Sequence, residues 1–277
     1  MIVGGRVIGL DREDLNLAIV GERIVAVLPA HEQPDAWRTV DAGGKLVLPG
    51  LVDLFGGSLA SSDPELADRA HGGVTTVGLA IDEGVELRPL DSPVDVAVID
   101  AAFVESLTRT DLGNVVHLPE LLTQAAGVSR GTALSTVAPS SSTALPAAFT
   151  ASVAYTALVV RGGLSVADFV QQVAAEPARR LGLFPTKGAL VPGADADVLV
   201  LDPEATMTLT DPSAPLHGAE LTGQPIFSLL RGAVLLLNGQ VHRRPGFGRI
   251  CNRPVTPGET ARHPTGTVLA GDVPTRA

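Results

Sequence analysis

The chain has 277 residues with 20 basic and 30 acidic side chains, so its formal net charge is -10. That length suits one large domain or two modest ones, and with only 3% aromatic residues the core must consist mainly of Ala, Val and Leu. The acidic excess argues against nucleic acid or an anionic membrane as a partner. The single cysteine, Cys251, excludes an internal disulfide. Since there is also no apolar run long enough to span a bilayer, we expect a cytoplasmic protein.

The first 50 residues predict short antiparallel strands. Residues 2–9 and 16–28 alternate apolar and polar positions, which is the period of strands with one buried face. Gly21-Glu22 lies where a tight hairpin turn would fall. The pair Gly43-Gly44 tolerates positive φ and predicts a second hairpin over residues 39–47.

From residue 51 onward the pattern becomes one of strands that alternate with helices. Leu51–Leu54 is apolar except for Asp53, as expected of a parallel strand that is covered on both faces. The predicted strands cover 51–54, 74–80, 94–99 and 129–136, and the predicted helices cover 63–71, 118–126 and 144–160. The helix over 144–160 is apolar and rich in small residues, so we expect a contact surface there. This order predicts a parallel α/β architecture.

The last third of the chain returns to short strands. Ser165 and Asp168 have the spacing of a helix-capping box, and Pro177 is expected to interrupt the helix that follows. Residues 226–241 predict a hairpin that turns at Asn238-Gly239. Residues 251–277 are rich in Pro, Gly and Thr without periodicity, which indicates a disordered tail.

Four segments of the sequence resemble one known family. They are residues 43–54, the Gly-Gly-Val-Thr-Thr-Val run at 72–77, the Pro-Ala-Arg-Arg-Leu-Gly-Leu run at 177–183, and residues 187–202. Together they are similar to the cyclic amidohydrolases, the group of dihydroorotases, allantoinases and dihydropyrimidinases. Any one segment alone would be weak evidence, and the four together are specific.

The resemblance implies a fold in which a TIM-type β/α barrel is inserted in a small β-sandwich. The sandwich would be built from 1–50 plus 186–250, and the barrel segment would be 51–185. A closed eight-stranded barrel takes roughly 250 residues, so this segment is about half of one. The expected fold is therefore α/β with a shortened or half barrel.

The resemblance also implies that the family's metal ligands are missing. Its His-x-His pair would fall on Phe55 and Gly57, neither of which ligates metal. The family's carboxylated lysine would fall on Thr132 if 129–136 is the fourth barrel strand. Its aspartate would fall on Thr136 in a rival register, in which residues 135–139 form the last strand. We therefore expect no metal and no other cofactor.

Three titratable residues are candidates for chemistry without a metal. Asp53 ends the first predicted barrel strand, Asp82 follows the second, and His117 precedes the helix predicted at 118–126. A buried carboxylate with a shifted pKa can transfer protons without a metal. For each residue, a structural or surface role competes with the catalytic one.

Two functions remain open at this point. The first is a dihydroorotase-like pseudoenzyme that serves as a structural or assembly subunit, either as a homodimer or with a longer amidohydrolase or a transcarbamoylase. The second is a repurposed enzyme or binding protein for a cyclic amide or ureide. The first is favoured because metal-free relatives of this family are known to scaffold transcarbamoylases.

Overall fold

A computed structural model describes residues 1–10, 14–58, 63–81, 92–99, 103–105, 115–117, 133–135, 147–210, 217–242 and 246–251. Within these ranges the chain is α/β, as the sequence predicts. The strands are β1 Ile2–Val3, β2 Arg6–Val7, β3 Leu15–Val20, β4 Arg23–Pro29, β5 Val40–Asp41, β6 Leu46–Pro49, β7 Leu51–Asp53, β8 Val74–Ala80, β9 Asp95–Ile99, β10 Val115–His117, β11 Ala133–Ser135, β12 Val198–Thr208, β13 Glu220–Leu230, β14 Ala233–Leu237, β15 Gln240–Val241 and β16 Ile250–Cys251.

The helices with named bounds lie in three parts of the chain, and residues 103–105 are also helical. The named helices are α1 Asp63–His71, α2 Thr150–Tyr155, α3 Val166–Val170 and α4 Glu176–Arg180, with a 3-10 turn at Ala147–Phe149 and π-helical turns at Thr156–Arg161 and Gln171–Ala175. The cap predicted for α3 is present, since the Ser165 hydroxyl accepts a hydrogen bond of 3.0 Å from the Asp168 N–H. Helical segments continue without a gap from Val166 across Pro177 to Arg180. None of the helices in the described ranges is long and apolar enough to cross a membrane.

Strands from both ends of the chain build two sheets that share a core. One sheet has the order β4-β3-β1-β5, and the other has the order β15-β14-β13-β12-β6-β2. Strand β12 pairs with β6 in antiparallel register, with Val198 opposite Pro49 and Leu201 opposite Leu46. The early strands and the late strands are therefore joined directly by backbone hydrogen bonds.

The central part of the second sheet is buried on both faces, and the first half of β12 shows why. Val198 and Val200 pack with the first sheet, whereas Leu199 and Leu201 pack with the α/β part of the chain. Neighbouring side chains of a strand point to opposite faces, so a strand that lies between two layers must be apolar at every position. The unbroken Val-Leu-Val-Leu run over 198–201 satisfies this requirement.

The two hairpins with glycine turns in the first 50 residues have different outcomes. The hairpin at Gly21-Glu22 is confirmed by the antiparallel pairing of β3 with β4. The hairpin predicted at Gly43-Gly44 is wrong, because β5 pairs in parallel with β1 while β6 joins β12 and β2 in the other sheet. The glycine turn instead passes the chain from one sheet to the next.

A third sheet is parallel throughout and has the order β16-β9-β8-β7. The position of β16 corrects the prediction of a tail from residue 251, because Cys251 lies in this strand and pairs with Ala97. The composition of this part of the chain does not indicate a strand, because the strand has only two residues. The rest of the predicted tail, 252–277, lies outside the described residues.

Two further parallel strands, β10 and β11, pair with each other. Strand β11 falls within the strand predicted at 129–136, and it lies against β7 and against the helical turn Gln171–Ala175. Strand β10 was not predicted, and it places His117 at the end of a strand. The helix predicted at 118–126 lies outside the described residues.

Helix α2 corrects the part of the contact surface predicted at 144–160 that falls on residues 150–155. Every residue of Thr150–Tyr155 is buried, and the helix packs on β13, so the chain covers this surface itself. Its small side chains allow that close approach, and Gly223 of β13 lies directly against the Tyr155 ring.

Candidate functional site

The carboxyl end of β7 carries a buried ion pair. Asp53 is the last residue of that strand, and its Oδ2 atom lies 3.4 Å from Nε of Arg69, which α1 supplies. The side chains of Asp53 and Arg69 are 0% and 5% exposed. Asp53 Oδ1 also accepts a hydrogen bond of 3.3 Å from the Phe55 N–H, and Arg69 donates to the Gly56 carbonyl. Both charges are therefore paired in an environment with almost no water.

The backbone that follows β7 needs glycine at two positions. A Cβ atom added at Gly56 would lie 2.8 Å from Arg69 Nε and would overlap the Val77 side chain. Gly57 has φ of 107°, a left-handed conformation that disfavours side chains. Its carbonyl accepts a hydrogen bond of 2.8 Å from the Ala80 N–H, which fixes this turn against β8.

The two described positions to which the resemblance assigns the family's first ligands are apolar. The Phe55 ring is buried in a cluster with Leu54, Ile99 and Leu181, and Gly57 has no side chain. Neither offers a lone pair to a cation. Of the other predicted site residues, Asp82, Thr132 and Thr136 lie outside the described residues, and His117 is described only by its place in β10.

A second buried cluster surrounds the ammonium of Lys187. Its Nζ atom lies 2.6 Å from an oxygen of Asp95, 2.9 Å from Asp195 and 2.7 Å from Asp197. Arg231 donates a further hydrogen bond to Asp95. Burial alone would lower the pKa of Lys187, but the three carboxylates outweigh it and raise the pKa above its ordinary value.

The three carboxylates of this cluster are close enough together to suggest a metal site. The ammonium of Lys187, however, already contacts one oxygen of each, so it holds the place that a divalent ion would need. Asp95 is the first residue of β9, so the cluster lies at the end of the parallel sheet opposite to Asp53. Barrel enzymes place their chemistry at the carboxyl end, and the amino end serves stability.

Sequence reasoning missed this Lys187 cluster. The sequence does contain a signal in Ala194-Asp195-Ala196-Asp197-Val198, where two acidic residues interrupt a run that is otherwise apolar. Buried acids require partners, and the chain has only two lysines, so Lys187 was an available partner. The third acid, Asp95, comes from a distant part of the chain and could not be inferred.

Comparison with known proteins confirms the resemblance. Over 103 residues the chain is 35% identical to an L-hydantoinase from Paenarthrobacter aurescens, which is 34% of this chain and 22% of that protein. It is 37% identical over 101 residues to the dihydropyrimidinase-related protein 5 of Homo sapiens, which is 34% of this chain and 18% of that protein. The chain thus matches about a fifth of the length of these curated relatives. No protein-family model matches it.

Solved structures support the same fold. An L-hydantoinase (dihydropyrimidinase) from Arthrobacter aurescens superposes with a TM-score of 0.68 at 16% identity, over 90% of this chain and 98% of that one. A D-hydantoinase (dihydropyrimidinase) from Thermus sp. gives a TM-score of 0.66 at 17% identity, over 91% and 98%. The chain is therefore related in sequence to cyclic amidohydrolases and resembles them in fold.

Proposed function

We propose that this chain is an amidohydrolase-like protein without metal-dependent hydrolase activity, and that it serves as a structural or assembly subunit. The observation that carries the proposal is the buried pair of Asp53 and Arg69, which lies beside the positions of the first two family ligands. A fixed guanidinium there opposes the binding of a divalent cation. The same pairing neutralises the carboxylate that was the first candidate acid or base.

The residues at this end of β7 do not fit the family's metal. A divalent ion needs several lone-pair donors that converge on one point, and Phe55 and Gly57 supply none. Histidine at position 57 would have to adopt φ of 107°, which a side chain disfavours. Lys187, which is one of two lysines in the chain, is held by carboxylates at the other end of the sheet.

The proposed architecture is a shortened barrel between the two sheets that the chain ends build, with the boundaries 1–50 plus 186–250 and 51–185. The parallel order β7-β8-β9 suits the first three barrel strands. Strand β11 lies beside β7, where the last strand of a closed barrel would lie. This neighbourhood supports the register in which residues 135–139 belong to the last strand, with Thr136 at the aspartate position.

The partner proposed for such a subunit is a second copy of the chain, a longer amidohydrolase or a transcarbamoylase. Support comes from the length of 51–185, which is about half of the roughly 250 residues of a closed barrel. Native mass spectrometry of the tagged chain, isolated from its own host, would identify the companion. A chain that is recovered alone as a monomer contradicts the assembly role.

Loss of hydrolase activity has its own test. The purified chain is analysed for zinc and manganese and then assayed with hydantoin, dihydrouracil and dihydroorotate, beside a hydantoinase as the positive control. We expect less than stoichiometric metal and no turnover. Stoichiometric metal together with hydrolysis of any of the three rings overturns the proposal.

The alternative is a metal-independent enzyme or binding protein for a cyclic amide or ureide. This alternative has less support because Asp53 is buried and paired with Arg69. Asp82 and His117 are then its remaining candidate catalytic residues. A panel of cyclic ureides and imides tests it by thermal shift. Stabilisation by one ring compound that is lost in an Asp82→Asn or His117→Ala variant would favour this alternative.

A further inference from the structure

Residues 246–251 run beside the edge of β9 in the third sheet. Ile250 pairs with Val96 and Cys251 with Ala97, both in parallel register. The Val96 N–H donates a hydrogen bond of 2.8 Å to the Arg249 carbonyl. Among the strands of the described ranges, β9 would be the edge strand of the β7-β8-β9 sheet without this segment, and its backbone groups there could pair with another chain.

The segment is anchored by charged groups from other layers of the fold. The Arg249 N–H donates to Asp95 Oδ1 at 2.8 Å, and the Arg249 guanidinium makes two hydrogen bonds, of 2.7 and 2.5 Å, to the Glu22 carboxylate. Arg231 donates to the Phe247 carbonyl, and its guanidinium lies 4.7 Å over the Phe247 ring. The Lys187 cluster and the docking of this segment therefore share Asp95 and Arg231.

Gly248 shows how closely the segment approaches the sheet. Its N–H donates a hydrogen bond of 2.8 Å to the Ser92 carbonyl. A Cβ atom at this position would overlap the carbonyl oxygens of Ser92 and Val94. Only glycine can therefore occupy position 248 while the strand is docked.

We propose that residues 246–251 form a built-in edge strand, and that the β9 edge it covers is an interaction surface for the same segment of a second copy. In the parent protein, residues 246–251 occupy the β9 edge of their own chain. Because they are tethered to it, their effective concentration at that edge exceeds the concentration of the same segment on any other copy in solution. When docking fails, β9 recruits residues 246–251 from another chain by strand addition. This inference goes beyond the proposed loss of hydrolase activity and does not depend on it.

Charge and shape favour a second copy over other extended peptides. Asp95 is the first residue of β9, and the Glu22 carboxylate, from the turn between β3 and β4, also contacts the docked segment. Residues 246–251 contain the basic residue Arg249 and no acidic residue. Any copy of the segment also has glycine at position 248, which the close approach requires. A partner other than a second copy is expected to bind elsewhere than at β9.

The test uses the substitution Gly248→Val, with Cys251 as a native reporter. Cys251 is the single cysteine and lies in the docked strand, so the rate of its reaction with a thiol reagent follows undocking. We expect labelling to be at least about tenfold faster than in the parent chain, because a docked state is sterically blocked. Because every copy of this variant carries valine at position 248, no copy can dock on another, and the open β9 edge can be filled only by an added segment that has glycine at that position.

A peptide of residues 246–253 with Ser in place of Cys251 completes the test. Labelled with a fluorophore at its N-terminus, it should bind the Gly248→Val chain, whose β9 edge is open, and should not bind the parent chain, whose own segment occupies that edge. The same peptide with Val at position 248 should bind neither chain, because its Cβ atom meets the carbonyl oxygens of Ser92 and Val94. A Gly248→Val chain whose Cys251 is exposed but which does not bind the glycine peptide overturns the proposal, as does a Cys251 that stays protected.

A milder variant covers the case in which Gly248→Val does not fold. Arg249→Ala removes the pair with Glu22 and should give the same two changes with smaller amplitude. Arg179→Ala is the matched control, since its ion pair with Glu176 is also exposed but lies on α4. Equal labelling rates and equal binding of the glycine peptide in the two arginine variants contradict the proposal.

Discussion

The carboxylate of Asp53 and the guanidinium of Arg69 form an ion pair that is almost completely withdrawn from water. The pair joins the end of β7 to the last turn of α1 and also holds the backbone of Phe55 and Gly56. A buried charge that loses its partner costs about 3–5 kcal/mol. The pair therefore fixes the carboxyl end of β7 and the turn that follows it.

Arg69→Met should destabilise the fold by about 3–5 kcal/mol, because Asp53 is left charged and buried. The double variant Asp53→Asn, Arg69→Met should recover a large part of that loss, since neither charge remains. Urea unfolding of the parent chain, both single variants and the double variant measures the coupling. Additive effects of the two substitutions would show that the side chains do not act as a pair.

Phe55→His alone should not create a metal site. The histidine would be one donor beside a guanidinium, and position 57 cannot supply a second without a change of backbone. Equilibrium dialysis with zinc should give the same low occupancy as the parent chain. Zinc that binds stoichiometrically to the Phe55→His chain would mean that Arg69 does not block the site.

Lys187→Met should cost about 3–5 kcal/mol, because three buried carboxylates lose their shared cation. The other lysine, Lys45, provides a matched control. Its pair with Asp202 is partly exposed, so Lys45→Met should cost about 0–1 kcal/mol. Unfolding in urea at neutral pH compares the two, and similar losses would contradict the role given to the Lys187 cluster.

Alkaline pH should weaken the fold through Cys251. Burial, with a smaller contribution from the Asp95 carboxylate, raises the pKa of the Cys251 thiol to about 12. An unfolded cysteine has a pKa of about 8.5, so the stabilising contribution is complete below that pH and is lost as pH rises toward 12. The free energy of unfolding should fall less steeply over this range in Cys251→Ala, and identical slopes would contradict the prediction.

Ser165→Ala should destabilise the chain by about 1 kcal/mol, because the Asp168 N–H loses its capping acceptor. For a chain of this size the melting temperature should fall by roughly 2–4 °C. Ser165→Asn keeps an acceptor and should retain most of the stability. Calorimetry of the three chains would detect the difference.

Local patterns predicted the local structure well. Three kinds of local signal were correct: the period-2 alternation before Pro29, the turns at Gly21-Glu22 and Asn238-Gly239, and the cap at Ser165. Each of these depends on interactions between residues that are close in the sequence, so the sequence alone is enough to predict it. The apolar run over 51–54 predicted β7 for the same reason. The resemblance of four segments to a known family then predicted the type of fold that the solved structures support.

Long-range partners were not predictable from one sequence. Nothing near Val40 indicates that its strand pairs with β1 instead of β6, and nothing near Ile250 indicates a place beside β9. Arg69 was likewise not paired with Asp53, because α1 contains three acidic residues of its own that were equally plausible partners. In each case the partner is set by packing between layers that are distant in the chain.

The most direct test of the central claim is native mass spectrometry of the tagged chain, isolated gently from its own host. We predict subunits without stoichiometric divalent metal, in an assembly with a second copy or with a longer amidohydrolase or transcarbamoylase. A subunit that carries one or two divalent ions and hydrolyses a cyclic amide would contradict the account.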